Sequence, residues 1–397
     1  MAAPERLLTP RFAGLWLYAF VTFFSAFQLL PAIPFRILDL GGSTAAAGWF
    51  LSAYTFASAF SAPLMGTIAD RVGRRRLLLV ASLAFCAFSL AYGLIPHVGL
   101  LLLVGVVHGA LWSGLLSSAS AIMTTHYIPE SRRTEGIAYW GLASLAAISI
   151  APAVGLWVFH FGWWTLCVEM AALSVVMTIG ALFIHDPTPP HERHRGALAE
   201  AWDWGVIRIT LTMTVASFGY GGITSYAALL AVQRHVEPKS IYLTVYAAAV
   251  VVLRVFFSHL FDKVRTKTLL YPALAMVPVA FAMLGLATTR WEMAMSAVLF
   301  GLGWGAAYPA LATFILNNTD PGRRARTFGS IMWAFDTGIA AGSLVLGAIG
   351  QRFGLGRAFL AAAALSCLAI PIFAWTSRLI NTNGTSLAGS ASDAGTG

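Results

Sequence analysis

Apolar runs of membrane-spanning length recur along this chain with only short polar intervals between them. No soluble fold accommodates that pattern. A helix crosses the hydrocarbon core with roughly 20 mostly apolar residues. That ruler finds twelve candidate spans, near 12–36, 45–68, 76–95, 98–124, 135–159, 163–184, 206–233, 239–261, 268–287, 291–316, 326–350 and 356–376. With no water in the bilayer core to satisfy backbone groups, segments this long must be helices. The expected fold class is an all-α polytopic membrane protein with twelve transmembrane helices. Composition agrees: the 397 residues are 58% hydrophobic and 10% charged, against about 45–50% and about 25% in soluble domains. The first run begins near Phe12 and is long enough to span, so it reads as the first helix and not as a cleaved leader.

Charge orients the chain. The net charge of +9 is spread as short basic clusters between apolar runs, not along one face, which argues against nucleic acid as a partner. With the N-terminus inside, eighteen Lys and Arg residues fall on cytoplasmic segments and six on external ones. The positive-inside bias therefore predicts both termini in the cytoplasm of a bacterial-type inner membrane. A Pro- and charge-rich stretch divides the spans. The predicted units are 1–185, a cytoplasmic linker at 186–204, 205–378, and a disordered Ser-, Gly- and Thr-rich tail at 379–397. Cys86, Cys167 and Cys367 all lie in apolar runs and read as small core residues, with no disulfide framework or metal site.

One loop concentrates charge unusually: Gly66-Thr67-Ile68-Ala69-Asp70-Arg71-Val72-Gly73-Arg74-Arg75-Arg76. Its glycines permit a sharp turn and its arginines hold it on the positive side of the membrane. A weaker copy, Leu260-Phe261-Asp262-Lys263, follows 192 residues later. Gly109, Pro129 and Arg132 recur at the same offset as Gly301, Pro321 and Arg324. A six-plus-six duplication predicts two pseudo-symmetric six-helix bundles, a substrate site between them near the midplane, and alternating access.

The pattern G-x-(I/L)-A-D-R-x-G-R-R closely resembles the loop between helices 2 and 3 of major facilitator superfamily transporters. The resemblance extends over about residues 10–378 and is nearest to the twelve-helix, proton-coupled drug and metabolite efflux branch. It implies a gating role for Gly66, Asp70, Arg71, Gly73, Arg74, Arg75 and Asp262. Asp70 would meet the positive end of a helix in the second half, while Arg71 and Arg74 pair with acids such as Glu130 or Glu135. Ala151-Pro152-Ala153-Val154-Gly155 resembles the antiporter motif of helix 5, with Ala151 in place of its first glycine. Pro152 frees a carbonyl and Gly155 admits a close neighbour, giving a hinge; an ordinary packing motif is the alternative.

Ionisable groups inside spans are costly and mark function. The proton-coupling candidates are Asp336 on helix 11, Arg254 on helix 8 as its expected counter-ion, His108 on helix 4 and Glu169 on helix 6. An Arg254–Asp336 pair serves either proton coupling or permanent bracing, and His108 either shuttles protons or stays neutral between helices. In the resembled fold helices 1, 4, 7 and 10 line the lumen, which nominates Gln28, Trp112, Tyr220, Tyr226, Trp304 and Tyr308 as cavity residues. With few fixed charges among them, an apolar, amphipathic or neutral polar small molecule suits the lining.

The expected function is secondary active transport of a small organic molecule, by proton:substrate antiport. A proton-coupled importer of a sugar or organic acid, and a non-transporting receptor or scaffold, are the alternatives. No phosphate-binding loop, metal cluster or nucleophile signature appears, so the chain is expected to be no enzyme and to need no cofactor beyond the proton gradient. Its partners are the solute, protons and the lipid bilayer, and the family expectation is a monomer.

Overall fold

The computed structural model describes residues 6–187, 204–264, 266–318 and 324–378. Among them there is no strand. The order is α1 (Pro10–Asp39), α2 (Thr44–Val72), α3 (Arg74–Leu94), α4 (Val98–Ile122), α5 (Arg133–His160) and α6 (Trp163–Phe183). Then come α7 (Trp204–Gln233), α8 (Ile241–Lys263), α9 (Thr266–Leu286), α10 (Arg290–Asn317), α11 (Arg324–Phe353) and α12 (Leu355–Ser366). Most of the expected linker and the whole expected tail lie outside the described residues.

Helix starts follow the sequence locally. Thr9 and Ser43 accept hydrogen bonds from Phe12 and Ala46 at the first turns of α1 and α2. Thr289 and Glu292 form a reciprocal capping box that opens α10. Gly73 lies at φ +107°, where a side chain would be strained, and separates α2 from α3 with a single residue.

Among the described residues, ten helices are long and apolar enough to cross a membrane, the last counted from Leu355 to Arg378 across the turn at Cys367–Leu368. The expected α2 and α8 spans are not among them. Hydroxyls at Ser52, Thr55, Ser58, Ser61 and Thr67 lower the apolarity of α2, and the side chains of α8 are described only as far as Phe256, over which Ile241–Phe256 is apolar. Packing pairs recur six helices apart: α1 on α5, α2 on α4 and α3 on α6 are answered by α7 on α11, α8 on α10 and α9 on α12. The two sets meet through α2 with α11, α5 with α8, and α1 with α7.

Candidate functional site: a seam and a cavity between α2 and α11

A row of short side chains lets α2 and α11 approach closely, as small residues do between membrane helices. From the face that carries the α1–α2 connection, the Ala45 amide donates to Gln351 Oε1 (3.2 Å). Ser343 Oγ then donates to the Gly48 carbonyl (3.1 Å), and Ser52 Oγ to the Ala340 carbonyl (2.6 Å). Ser58 Oγ donates to Asp336 Oδ2 (2.9 Å), and Phe60 meets Trp333 edge-on with centroids 6.3 Å apart. Numbers rise on one helix as they fall on the other, so the seam is antiparallel; it extends roughly 22 Å at 1.5 Å per residue. Tyr226 of α7 closes its start by donating to the Ser343 carbonyl (2.9 Å), where a Cβ on Gly48 would overlap the phenol. On the same face Lys239, just before α8, lays its ammonium over Phe35 of α1 (4.9 Å) and Phe159 of α5 (4.3 Å). Toward the other face, a Cβ on Gly66 or Gly329 would meet nothing within 4 Å.

Beside the seam lies a cavity with about 420 Å³ of atom-free space, including its mouth. Phe27 and Leu30 come from α1, Leu51, Tyr54, Thr55 and Ser58 from α2, and Trp112 from α4. Across from them stand Tyr220 and Thr224 of α7 with Phe335, Asp336 and Ile339 of α11. The lining is mostly aromatic and aliphatic, and it holds a single carboxylate, that of half-buried Asp336.

The structure distributes the expected site residues unevenly. Asp336, Trp112 and Tyr220 line the cavity. Trp304 and Tyr308 stand behind Phe335, with ring centroids 6.2 and 5.1 Å from it, and so support the wall instead of forming it. Tyr226 belongs to the seam. Gln28 faces away from the cavity: its amide donates to both carboxylate oxygens of Glu169 (3.1 Å each), tying α1 to α6. His108 is buried among Tyr54, Phe85, Phe88 and Tyr92, with Nδ1 3.1 Å from the Tyr92 hydroxyl, and stands behind Tyr54 without itself lining the cavity. The expected Arg254–Asp336 pair is not formed. Arg254 donates instead to the Gly305 carbonyl of α10 (3.0 Å), while Asp336 takes its bond from Ser58.

In the loop between α2 and α3, expected to gate, Arg74 pairs with Asp70 at 3.5 Å one turn away. Arg75 donates to the Leu182 carbonyl at the end of α6 (2.7 Å), a favourable place for a cation. Glu135, expected as a partner for this loop, is held bidentately by Arg132 (2.6 and 2.8 Å). Arg71 is exposed, and the Asp262 side chain lies outside the described residues. Pro152 is buried within α5, and Gly155 brings α5 against the Gln28 backbone of α1, where a Cβ would sit 2.5 Å from the Gln28 carbonyl oxygen.

Among the residues that line the site, Ser58 and Tyr54 were not marked by the sequence reading. The available signal was the row Leu51, Tyr54, Thr55, Ser58 at helical spacing, polar on one face of an otherwise apolar helix.

An all-helical chain with many membrane-spanning helices and a cavity between its first and later halves has the architecture of a membrane transporter. The chain belongs to the Major Facilitator Superfamily, whose family model matches residues 15–343, and is an integral multi-pass membrane protein. It is 30% identical over 149 residues to the multidrug export protein EmrB of Haemophilus influenzae, a match covering 37% of this chain and 29% of that protein. The matched stretch thus spans less than a third of the exporter's length. Over 382 residues, 91% of each chain, it is 21% identical to the uncharacterised MFS-type transporter YhhS of Escherichia coli. In fold it is similar to a bacterial homologue of the lysosomal transporter Spinster, solved inward-facing and unoccupied (TM-score 0.75, 14% identity, 96% and 99% of the two chains). The nucleoside transporter NupG is similar as well (TM-score 0.73, 13% identity, 93% and 99%).

Proposed function

We propose that this protein exports a small organic molecule in exchange for protons, with Asp336 as the coupling acid. The observation that carries the reading is the Ser58–Asp336 hydrogen bond. It joins a carboxylate in the cavity wall to a helix of the other half, so one proton on that carboxylate changes both the cavity and the seam. A protonated carboxyl accepts hydrogen bonds less strongly than a carboxylate, which ties protonation to the bond between halves.

Export is supported by the partial similarity to EmrB and by Pro152 and Gly155 in α5. In this reading α2 and α8 complete twelve spans in two six-helix halves, and the basic clusters hold both termini in the cytoplasm. The seam then closes the external side, and the form described is inward-facing. The proton gradient is the driving force, and the unit is a monomer.

The test is proton movement in inverted membrane vesicles that are acid inside, supplied in turn with a panel of dyes, antibiotics, sugars and organic acids. Substrate-triggered alkalinisation of the lumen is expected in wild type and should fall by at least about tenfold in Asp336→Asn. Undiminished proton release from Asp336→Asn would remove the acid from its assigned role. Substrate-dependent flux in the opposite sense would identify an importer.

A further inference from the structure

The cavity's unused hydrogen-bonding capacity points to the chemistry of its ligand. Five hydroxyls line it, and three of them donate within the protein. Thr55 donates to the Leu51 carbonyl (2.8 Å), Thr224 to the Tyr220 carbonyl (2.9 Å) and Ser58 to Asp336, while Tyr220 packs its ring against that of Tyr246 (centroids 6.3 Å apart). The fifth, on Tyr54, belongs to a side chain only 4% exposed, and its oxygen is buried with no hydrogen-bond partner. A buried hydroxyl left unsatisfied is costly, so it marks a position where a ligand gains by supplying a partner. Tyr54 stands four residues before Ser58, one helical turn along the same face of α2. The phenol and the Asp336 carboxylate are therefore neighbours on the cavity wall.

Around them are the ring faces of Phe27, Trp112, Tyr220 and Phe335. A carboxylate accepts hydrogen bonds and attracts positive charge, and aromatic faces attract cations, most strongly where water is thin. An anion would meet Asp336 with no basic residue in the lining to offset it.

We infer that the substrate is an amphipathic organic cation with at least one N–H, its ammonium or protonated amine on Asp336 and an N–H shared with the Tyr54 oxygen. Tyr54 is then a specificity residue, separating cations that carry an N–H from those that do not. The inference rests on the cavity being the transport site, and it narrows the substrate class.

The test is isothermal titration of full-length protein in lipid nanodiscs with three probes. They are 9-aminoacridine (a cation with N–H groups), tetraphenylphosphonium (a cation without) and 1-naphthoate (an anion). Saturable binding is expected for both cations and not for the anion. Asp336→Asn should weaken both cations by at least about tenfold, with binding restored in Asp336→Glu. Tyr54→Phe should weaken 9-aminoacridine by about threefold to tenfold and leave tetraphenylphosphonium unchanged. Binding of 1-naphthoate as tight as the cations, absence of saturable cation binding, or a Tyr54→Phe effect that is equal for both cations would overturn the assignment. No flux enters this measurement. Cation binding without coupled flux would sink the antiport reading and keep this one, and proton-coupled export of an anion would do the reverse.

Discussion

Ser58 does at the scale of one side chain what the fold does at large: it reaches from one set of helices to the other. Its hydroxyl proton goes to Asp336, an ionised acceptor, and hydrogen bonds to charged groups are worth about 1.5–3 kcal/mol. Ser58→Ala should therefore weaken closure of the α2–α11 seam by about 1–2 kcal/mol after partial replacement by water. Electron–electron distance measurements between spin labels at the outer ends of α2 and α11 would register this as a larger open fraction. An unchanged distance distribution would mean the bond contributes nothing to closure. Asp336 itself was legible in the sequence because an acid inside a span is expensive. Its partner was not. Charge complementarity suggested Arg254, yet the register of α8 against α10 turns that guanidinium to the Gly305 carbonyl. Gln28, Trp304 and Tyr308 were nominated by helix number alone, and rotation about each helix axis, which no residue type announces, took them off the lining.

At the scale of helices, the contact between α1 and α5 depends on one missing side chain. A Cβ on Gly155 would press on the Gln28 backbone, which no rotamer change relieves. Gly155→Val should cost about 1–3 kcal/mol through overpacking, seen as a lower midpoint in detergent thermal unfolding. A midpoint equal to wild type would show that α1 moves aside freely. Helix positions were largely readable, since apolar length is what both the ruler and the bilayer measure. The sixth expected span, 163–184, agrees with Trp163–Phe183 almost residue for residue. The last expected span, 356–376, is interrupted at Cys367–Leu368. Pro371 explains the break: it has no N–H for the Cys367 carbonyl, and its ring crowds that same group. The hydroxyl row that lowers the apolarity of α2 is the same row that builds the seam, so the weakest of the expected spans is the one closest to function.

For the molecule as a whole, the faces differ in how they are fastened. On the face bearing Lys239, an ammonium from the later helices rests on Phe35 and Phe159 of the earlier ones. A cation–π contact contributes about 0.5–2 kcal/mol, so Lys239→Gln should shift the closed-to-open ratio on that face by about twofold to thirtyfold. Lys239→Arg, which keeps the charge, should stay near wild type. Spin-label distances between the ends of α1 and α7 on that face measure both, and a Gln variant as closed as wild type would exclude the contact as a fastening. The seam beside it has a property that bears on reversibility. A serine on a helix always has a carbonyl one turn behind it, and its hydroxyl is able to swing back to that acceptor. Thr55 already bonds in this way to Leu51. When α2 leaves α11, Ser52 and Ser58 have the carbonyls of Gly48 and Tyr54 within their own helix to turn to. Opening then exchanges acceptors without abandoning protons to hydrocarbon, and the number of hydrogen bonds made by α2 stays nearly constant through a cycle. In the transport cycle proposed above, a gate built on that arithmetic would move between its two positions on a nearly level path, so that a small input, such as one proton or one solute, would suffice to decide the direction.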